Sequence, residues 1–491
     1  SMLKMMILRG TAWLLLGRFV SQAIGLVSTL VAARLLVPAD FGLVAVAMSV
    51  FMIAGAIVEL PVGAALVQLK TVTDRDFNTA WTLNILRGAI VTVLMLAAAW
   101  PVAAVFGDPR LLAVISALAI YPFLLGFRNS RFEMYIRNMD FKWEAMVEIG
   151  TKVASFAVMF WVAFATGSYW ALPLGLIASG AIALVMSFAL CPQIPGLSLS
   201  EFRKFFGFSI WLGLAQIADS LRESATSLFI GKLLGNATLG TYSVGIQFAD
   251  RMELFLYAPM ERTMFAAFSS IQDDLHRVRA AYLSSLHASF AISLPICIGI
   301  GLMAKEIVAI TLGPEWASAA LVLAFAAPIT AIYLLGAISV SIATALGRTR
   351  SVFLLKAVSA CLYIPVMVLG ALQFGIIGVL WAGVFGAVVW CGLSFRLMTT
   401  VIDVTISRQV AAVGRSLAAA LVMSGAVTWA RVSLFDQPVQ EMTGLLVQAG
   451  ILSSLGAVVY LAAHAGLWIA ANRPQGIERQ VSARLSALSP A

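Results

Sequence analysis

Apolar runs long enough to cross a bilayer follow one another almost without interruption along this chain. They lie at about 10–36, 41–68, 78–106, 111–127, 143–166, 169–191, 205–233, 239–265, 281–311, 318–346, 350–371, 375–400, 408–432 and 442–470. A helix needs about 20 apolar residues to cross the hydrocarbon core. The spacing therefore predicts an all-α polytopic membrane protein with about fourteen transmembrane helices. Composition agrees: of 491 residues 61% are hydrophobic and 11% charged, where a soluble domain has about 25% charged. The mean hydropathy is +0.97. No connection is long enough to fold as a soluble domain. The first apolar run continues far past a signal-peptide core, so no cleavable leader is expected, and Ser1 ahead of Met2 reads as an expression remnant.

The net charge is +9, and its distribution explains it. Basic residues gather in alternate connections: Lys4 and Arg9; Lys70 and Arg75; Arg128, Arg131, Arg137 and Lys142; Arg203 and Lys204; Arg277 and Arg279; Arg348 and Arg350. The positive-inside rule then places both termini in the cytoplasm, and no nucleic-acid partner is needed to account for the charge. Leu197–Phe206 mixes charge with Phe202, Phe205 and Phe206, which suits a segment on the inner membrane surface joining two halves. Four cysteines and three histidines (His276, His287, His464) show no ligand spacing, so neither a metal nor another cofactor is expected.

The first two spans match the seventh and eighth at an offset of 198 without a gap. Trp13 pairs with Trp211, Arg34-Leu35-Leu36 with Lys232-Leu233-Leu234, Gly42 with Gly240, and Pro61 with Pro259. Six spans separate the copies, and an even number preserves orientation. This predicts parallel repeats about an axis along the membrane normal, two six-helix bundles around a central cavity. The expected divisions are an N-lobe 1–195, a C-lobe 196–402, two extra helices in 403–472 and a cytoplasmic tail 473–491.

Charge inside the spans marks where that cavity lies. The seventh span carries Gln216, Asp219, Arg222 and Glu223, which share one helical face. The eighth carries Gln247, Asp250, Arg251 and Glu253, and the N-lobe offers Arg18, Gln22 and Glu59. A charge at mid-membrane costs at least ~2.5–3.5 kcal/mol unless it meets water or a partner. Arg18, Arg222 and Arg251, with Gln22 and Gln247, are the candidates for binding an anionic substrate, because guanidinium grips phosphate and stays charged when desolvated. Internal pairing, Arg222 with Asp219 and Arg251 with Asp250 or Glu253, accounts for the same residues. Asp219, Glu223, Asp250, Glu253 and Glu59 are candidates for proton or ion coupling, with static ion pairs as the alternative. Pro61 and Pro259 would bend their helices at matching depth and can act as hinges. No phosphate-binding loop, zinc-protease motif or nucleophile elbow occurs, so an enzyme is not expected.

Arg34-Leu35-Leu36-Val37-Pro38-Ala39-Asp40-Phe41-Gly42, then Gly63-Ala64-Ala65-Leu66-Val67-Gln68, resembles the N-terminal signature of bacterial polysaccharide flippases. These are the Wzx-type members of the multidrug/oligosaccharidyl-lipid/polysaccharide exporter superfamily. Phe229-Ile230-Gly231-Lys232-Leu233-Leu234-Gly235, Leu239-Gly240-Thr241-Tyr242-Ser243 and Ala345-Leu346-Gly347-Arg348 extend the resemblance over about the first 400 residues. It implies a flippase that moves undecaprenyl-pyrophosphate-linked oligosaccharides from the inner to the outer leaflet of the bacterial inner membrane. The lipid bilayer is then its medium and a polysaccharide polymerase or co-polymerase its expected partner. A cation-coupled multidrug efflux pump shares the superfamily fold and is the alternative. The chain departs from the family at Glu59-Leu60-Pro61-Val62-Gly63, where many relatives have Asp-x-Gly-x-Gly, and at Thr226, where relatives tend to carry Asp.

Overall fold

The computed structural model describes residues 2–58, 62–63, 66, 71–138, 140–205, 210–256, 268, 274–435 and 442–470, without the side chains of 2–12, 14–15 and 252–256. Glu59, Pro61, Pro259 and the Glu253 side chain fall outside it, as does the tail after Asn472. Among the described residues the regular elements are helices. They are α1 (Met2–Leu35), α2 (Pro38–Ile57), α3 (Asp74–Phe106), α4 (Arg110–Leu118), α5 (Ile120–Gly126), α6 (Glu133–Arg137), α7 (Phe141–Thr166), α8 (Ala171–Leu190), α9 (Ile210–Leu234), α10 (Asn236–Leu256), α11 (Leu275–Leu302), α12 (Ala304–Thr311), α13 (Ala317–Ala345), α14 (Thr349–Val401), α15 (Ile406–Leu434) and α16 (Met442–Ala470), with three short 3-10 turns.

Ten described helices are long and apolar enough to cross a membrane, or up to eleven if the bent pair 110–126 and 130–137 forms one span. Two features separate this number from the fourteen apolar runs. Helix α14 is not one rod: Gly375 at φ 60°, ψ −140° breaks it, and the backbones of Gly370 and Gly378 pack against each other so closely that a Cβ on either would overlap the other's carbonyl. Eight residues of straight helix would hold them about 12 Å apart. The chain therefore folds back into a hairpin at Gly375. Helices α9 and α10, of 25 and 21 residues, have the length to span but carry the charged clusters.

The chain forms two compact units, Ser1–Ser243 and Val244–Ala491. In the first, α1 packs on α7, α7 on α8, α3 on α4 and α5, and α2 on α9. Leu43, Val46 and Ala47 of α2 are fully buried there. In the second, α11 packs between α13 and α15, α13 on α14, and α15 on α16, around Tyr282, Leu286 and Trp316. Outward-facing Trp100, Trp161, Phe164, Trp381 and Trp429 stay 60–74% exposed. A soluble protein would hide such surface, whereas a lipid-facing one presents it.

Inside the first unit the start of α2 meets the start of α10 through a reciprocal contact. A Cβ on Gly42 would overlap the Asn236 carbonyl, and a Cβ on Gly240 would overlap the Pro38 carbonyl. Pro38 and Asn236, like Gly42 and Gly240, are partners at the 198-residue offset. Each glycine thus sits on the repeat partner of the other's neighbour, the signature of a two-fold axis.

After α8, residues 191–200 run extended along α3. Asn129 donates to the carbonyls of Cys191 (2.7 Å) and Gln193 (3.0 Å). The N–H groups of Gly196, Ser198 and Glu201 donate to Asn78, Thr82 and Thr79. Lys204 closes the strap on buried Asp76 at 2.9 Å. Ile194 and Leu197 point outward at 73% exposure each, which suits a strap at the membrane surface.

Candidate functional site

In the first unit Arg18 and Gln22 lie one turn apart on α1, both half-buried. Ser21 between them is fully buried, and its hydroxyl donates to Glu148 Oε1 on α7 at 2.6 Å. A carboxylate thus stands beside the α1 polar face that sequence spacing does not reveal, because 127 positions separate the two residues. Lys152 on α7 is exposed and Arg87 on α3 half-buried.

Helix α9 packs through Ala215, Ser220, Ser224, Thr226, Ile230 and Gly231. On the same helix Asp219 and Arg222 are half-buried and Glu223 is exposed. Arg222 lies 3.6 Å from Glu223, its sequence neighbour. Thr226 is buried and donates its hydroxyl to the Arg222 carbonyl at 2.9 Å, a bond internal to the helix. In the second unit α10 carries half-buried Gln247 and Arg251 and exposed Asp250. These groups are half-buried or exposed on long helices in a chain with a lipid-facing surface. Polar groups so placed need a protein partner, water or a polar ligand rather than acyl chains beside them.

Two buried polar clusters in the second unit were not anticipated. Arg431 on α15 donates to both carboxylate oxygens of buried Glu306 at 2.9 Å and to the Leu302 carbonyl at 2.7 Å. Gln448 on α16 donates to Glu306 at 3.2 Å. Elsewhere in that unit His287 of α11 and His464 of α16 stack with ring centroids 5.9 Å apart. Arg415 of α15 lies 3.4 Å from His287 Nε2. The sequence offers weak signals for both clusters, single charges or histidines in apolar runs, and their partners lie more than a hundred residues away. Among the described residues no group of three or more His, Cys, Asp or Glu is placed to hold a metal.

Residues 31–321 match the family described as polysaccharide biosynthesis protein. The chain belongs to this family. Its relatives include the lipopolysaccharide biosynthesis protein WzxC of Escherichia coli K12, 23% identical over 378 residues, which cover 75% of this chain and 76% of WzxC. The succinoglycan biosynthesis transport protein ExoT of Rhizobium meliloti is 22% identical over 316 residues, 63% of each chain. In fold this polysaccharide biosynthesis protein is similar to the lipid II flippase MurJ in an inward closed conformation, with a TM-score of 0.69 at 15% identity over 93% of this chain and 99% of MurJ. It is also similar to an inward-facing multidrug resistance MATE family transporter, with a TM-score of 0.63 at 12% identity over 78% of this chain and 95% of that one. The polysaccharide biosynthesis protein is therefore a multi-pass bacterial membrane protein of the transporter fold, and its family and fold are those of transporters rather than enzymes.

Proposed function

We propose that this polysaccharide biosynthesis protein flips an undecaprenyl-pyrophosphate-linked oligosaccharide from the cytoplasmic to the periplasmic leaflet of the inner membrane by alternating access. The working lobes are 1–195 and 196–402, both termini are cytoplasmic, and α15 and α16 stand outside the repeat. The observation that carries the reading is the half-buried Arg222, with half-buried Asp219 and exposed Glu223, on the long helix α9. A pyrophosphate is the dianionic group that a guanidinium in such a setting recognises. Arg18, Arg251, Gln22 and Gln247 complete the proposed contacts with pyrophosphate and glycan, and Asp219, Glu223, Asp250, Glu253 and Glu59 are proposed for ion coupling. The relatives named for lipopolysaccharide and succinoglycan biosynthesis support a glycan cargo over a drug.

The test is a leaflet assay in a strain lacking the gene. Completed lipid-linked units should accumulate inside, beyond reach of an enzyme confined to the periplasm, and a plasmid copy should return them outside. Arg18→Ala, Arg222→Ala and Arg251→Ala should each restore transport at least about tenfold less well than Arg87→Ala, the loss of about 1.4 kcal/mol of anion recognition. Units already outside in the deleted strain, or equal rescue by all four variants at matched expression, would overturn the reading. Drug hypersensitivity of the same strain would favour efflux.

A further inference from the structure

We propose that His287 and His464 form a proton-binding site in the second unit, and that Arg415 reports its occupancy to α15. The site lies inside the helices: His287 is about 18 Å along α11 from Leu275, at 1.5 Å per residue. Both imidazoles are buried, at 6% and 9% exposure, and their rings stack at an interplanar angle of 19°. Tyr460 also stacks on His464, at 5.5 Å between centroids, and its hydroxyl donates to the Ala291 carbonyl of α11 at 2.8 Å. Three helices, α11, α15 and α16, thus meet at one cluster.

The hydrogen bonds define the chemistry. His287 Nδ1 lies 3.0 Å from the Ala412 carbonyl, and a carbonyl only accepts, so Nδ1 carries the hydrogen. Nε2 then has a lone pair, and the Arg415 guanidinium, which only donates, occupies it. A proton arriving from water at Nε2 takes that same lone pair. The imidazole becomes a cation with two N–H donors, and its bond with Arg415 is replaced by repulsion between like charges. Proton and guanidinium are mutually exclusive ligands of one nitrogen. Arg415 must move when the proton binds, and it moves on α15.

Polar groups lie along α11 between the helix end and the cluster and beyond it. Arg279 on the first turns of α11 pairs with Asp403 at 3.2 Å. Tyr282 donates to Gln409 Oε1 at 2.7 Å and lies 3.3 Å from the Ser339 hydroxyl. Ser289 and Ser293 share the Tyr282 face of α11, and Ser416 is the neighbour of Arg415. The hydroxyls of these three serines are buried without a hydrogen-bond partner among the described residues. Hydroxyls donate and accept, so water placed between them would complete a line that can pass a proton. The charged and titratable groups on the helices packed against α11 are Arg408, Arg415 and Arg431 of α15, Tyr460 and His464 of α16, Lys305 and Glu306 of α12 and Tyr333 of α13, with the Arg279–Asp403 and Glu306–Arg431 pairs towards its ends. Helix α13 brings no charged residue.

The chain has three histidines, which makes the test direct and independent of the cargo. The full chain, with isotope-labelled histidine and arginine, is placed in lipid nanodiscs without substrate and followed by NMR as pH changes. The His287 and His464 signals should respond together, and the Arg415 guanidinium signal should change at the same pH. Exposed His276 is the internal reference. In Arg415→Gln, which keeps a neutral donor for Nε2, the pair should respond at a pH displaced by about one unit or more, the effect of a neighbouring unit charge. His287 and His464 signals that stay constant across about pH 4–9, the range over which an imidazole titrates, would overturn the proposal. So would a response that leaves Arg415 unchanged, or an Arg415→Gln protein whose pair behaves as the parent's does.

Discussion

Glu306 is a carboxylate at 4% exposure, and what allows it there is the Arg431 guanidinium placed across both of its oxygens. Removing one partner of a buried pair strands the other, at about 3–5 kcal/mol. Arg431 retains 28% side-chain exposure, so the lower end applies. Arg431→Met should lower stability by about 3 kcal/mol, read as thermal unfolding of the detergent-solubilised chain, whereas Arg431→Met with Glu306→Leu should recover most of the loss because no charge is left unpaired. Asp108, in the corner between α3 and α4, supplies a pH-dependent counterpart. The Arg110 guanidinium, bonded to it at 2.8–3.3 Å, holds its carboxyl below the usual carboxylate range against the opposing effect of burial. It also accepts from Asn236 at 3.3 Å. A carboxyl with a lowered folded value stabilises fully above the unfolded value of about 3.9 and loses that contribution as pH falls through the folded one. Unfolding followed below about pH 4 should therefore show an acid-labile component that Asp108→Asn removes.

At the scale of elements, the Gly42 and Gly240 contact is the feature most exposed to single substitutions. A methyl group at either position meets a backbone carbonyl, which cannot rotate away as a side chain can. Overpacking of this kind costs about 1–3 kcal/mol. Gly42→Ala and Gly240→Ala should each destabilise by that amount, and the double variant by clearly less than the sum, because the first methyl already separates α2 from α10. Additive losses in a thermal-unfolding cycle would mean that the two contacts are independent. Much of this element was legible beforehand: the 198-residue offset paired Gly42 with Gly240 and marked both as more than chance. That they touch each other's neighbours was not legible, because periodicity along a helix says which face is small but not what it meets. The hairpin of α14 was legible as two apolar runs meeting at Gly375.

For the whole molecule, the helical membrane class followed from apolar run length alone, because a bilayer fixes the length of what crosses it. The candidate site was legible only in part. Arg222 and Asp219 stood out because charge is costly in apolar helices, and on α9 both are half-buried. The approach of Glu148 to α1 and the His287–His464–Arg415 cluster depend on which helices are neighbours, which local sequence does not encode. The strap of residues 191–200 belongs to this scale as well. Shortening it by deleting Leu197 and Ser198 should abolish the Gly196 and Ser198 bonds to α3 and reduce glycan export in the complementation assay, while alanine at exposed Ile194 should leave export within about twofold, as surface changes usually do.

The seam between α2 and α10 also bears on ancestry. Two identical chains related by a two-fold axis make every contact twice, once in each direction. The Gly42–Asn236 and Gly240–Pro38 contacts do this within a single polypeptide. Here the protein keeps the handshake of a homodimer, as though a half-length forebear had met its own copy at this spot before duplication and fusion joined the two. Since fusion the copies have been free to diverge, and they have done so unevenly: Asp219, Arg222 and Glu223 stand where the first copy has Ser21, Ile24 and Gly25, while the glycines on which each half rests have stayed the same.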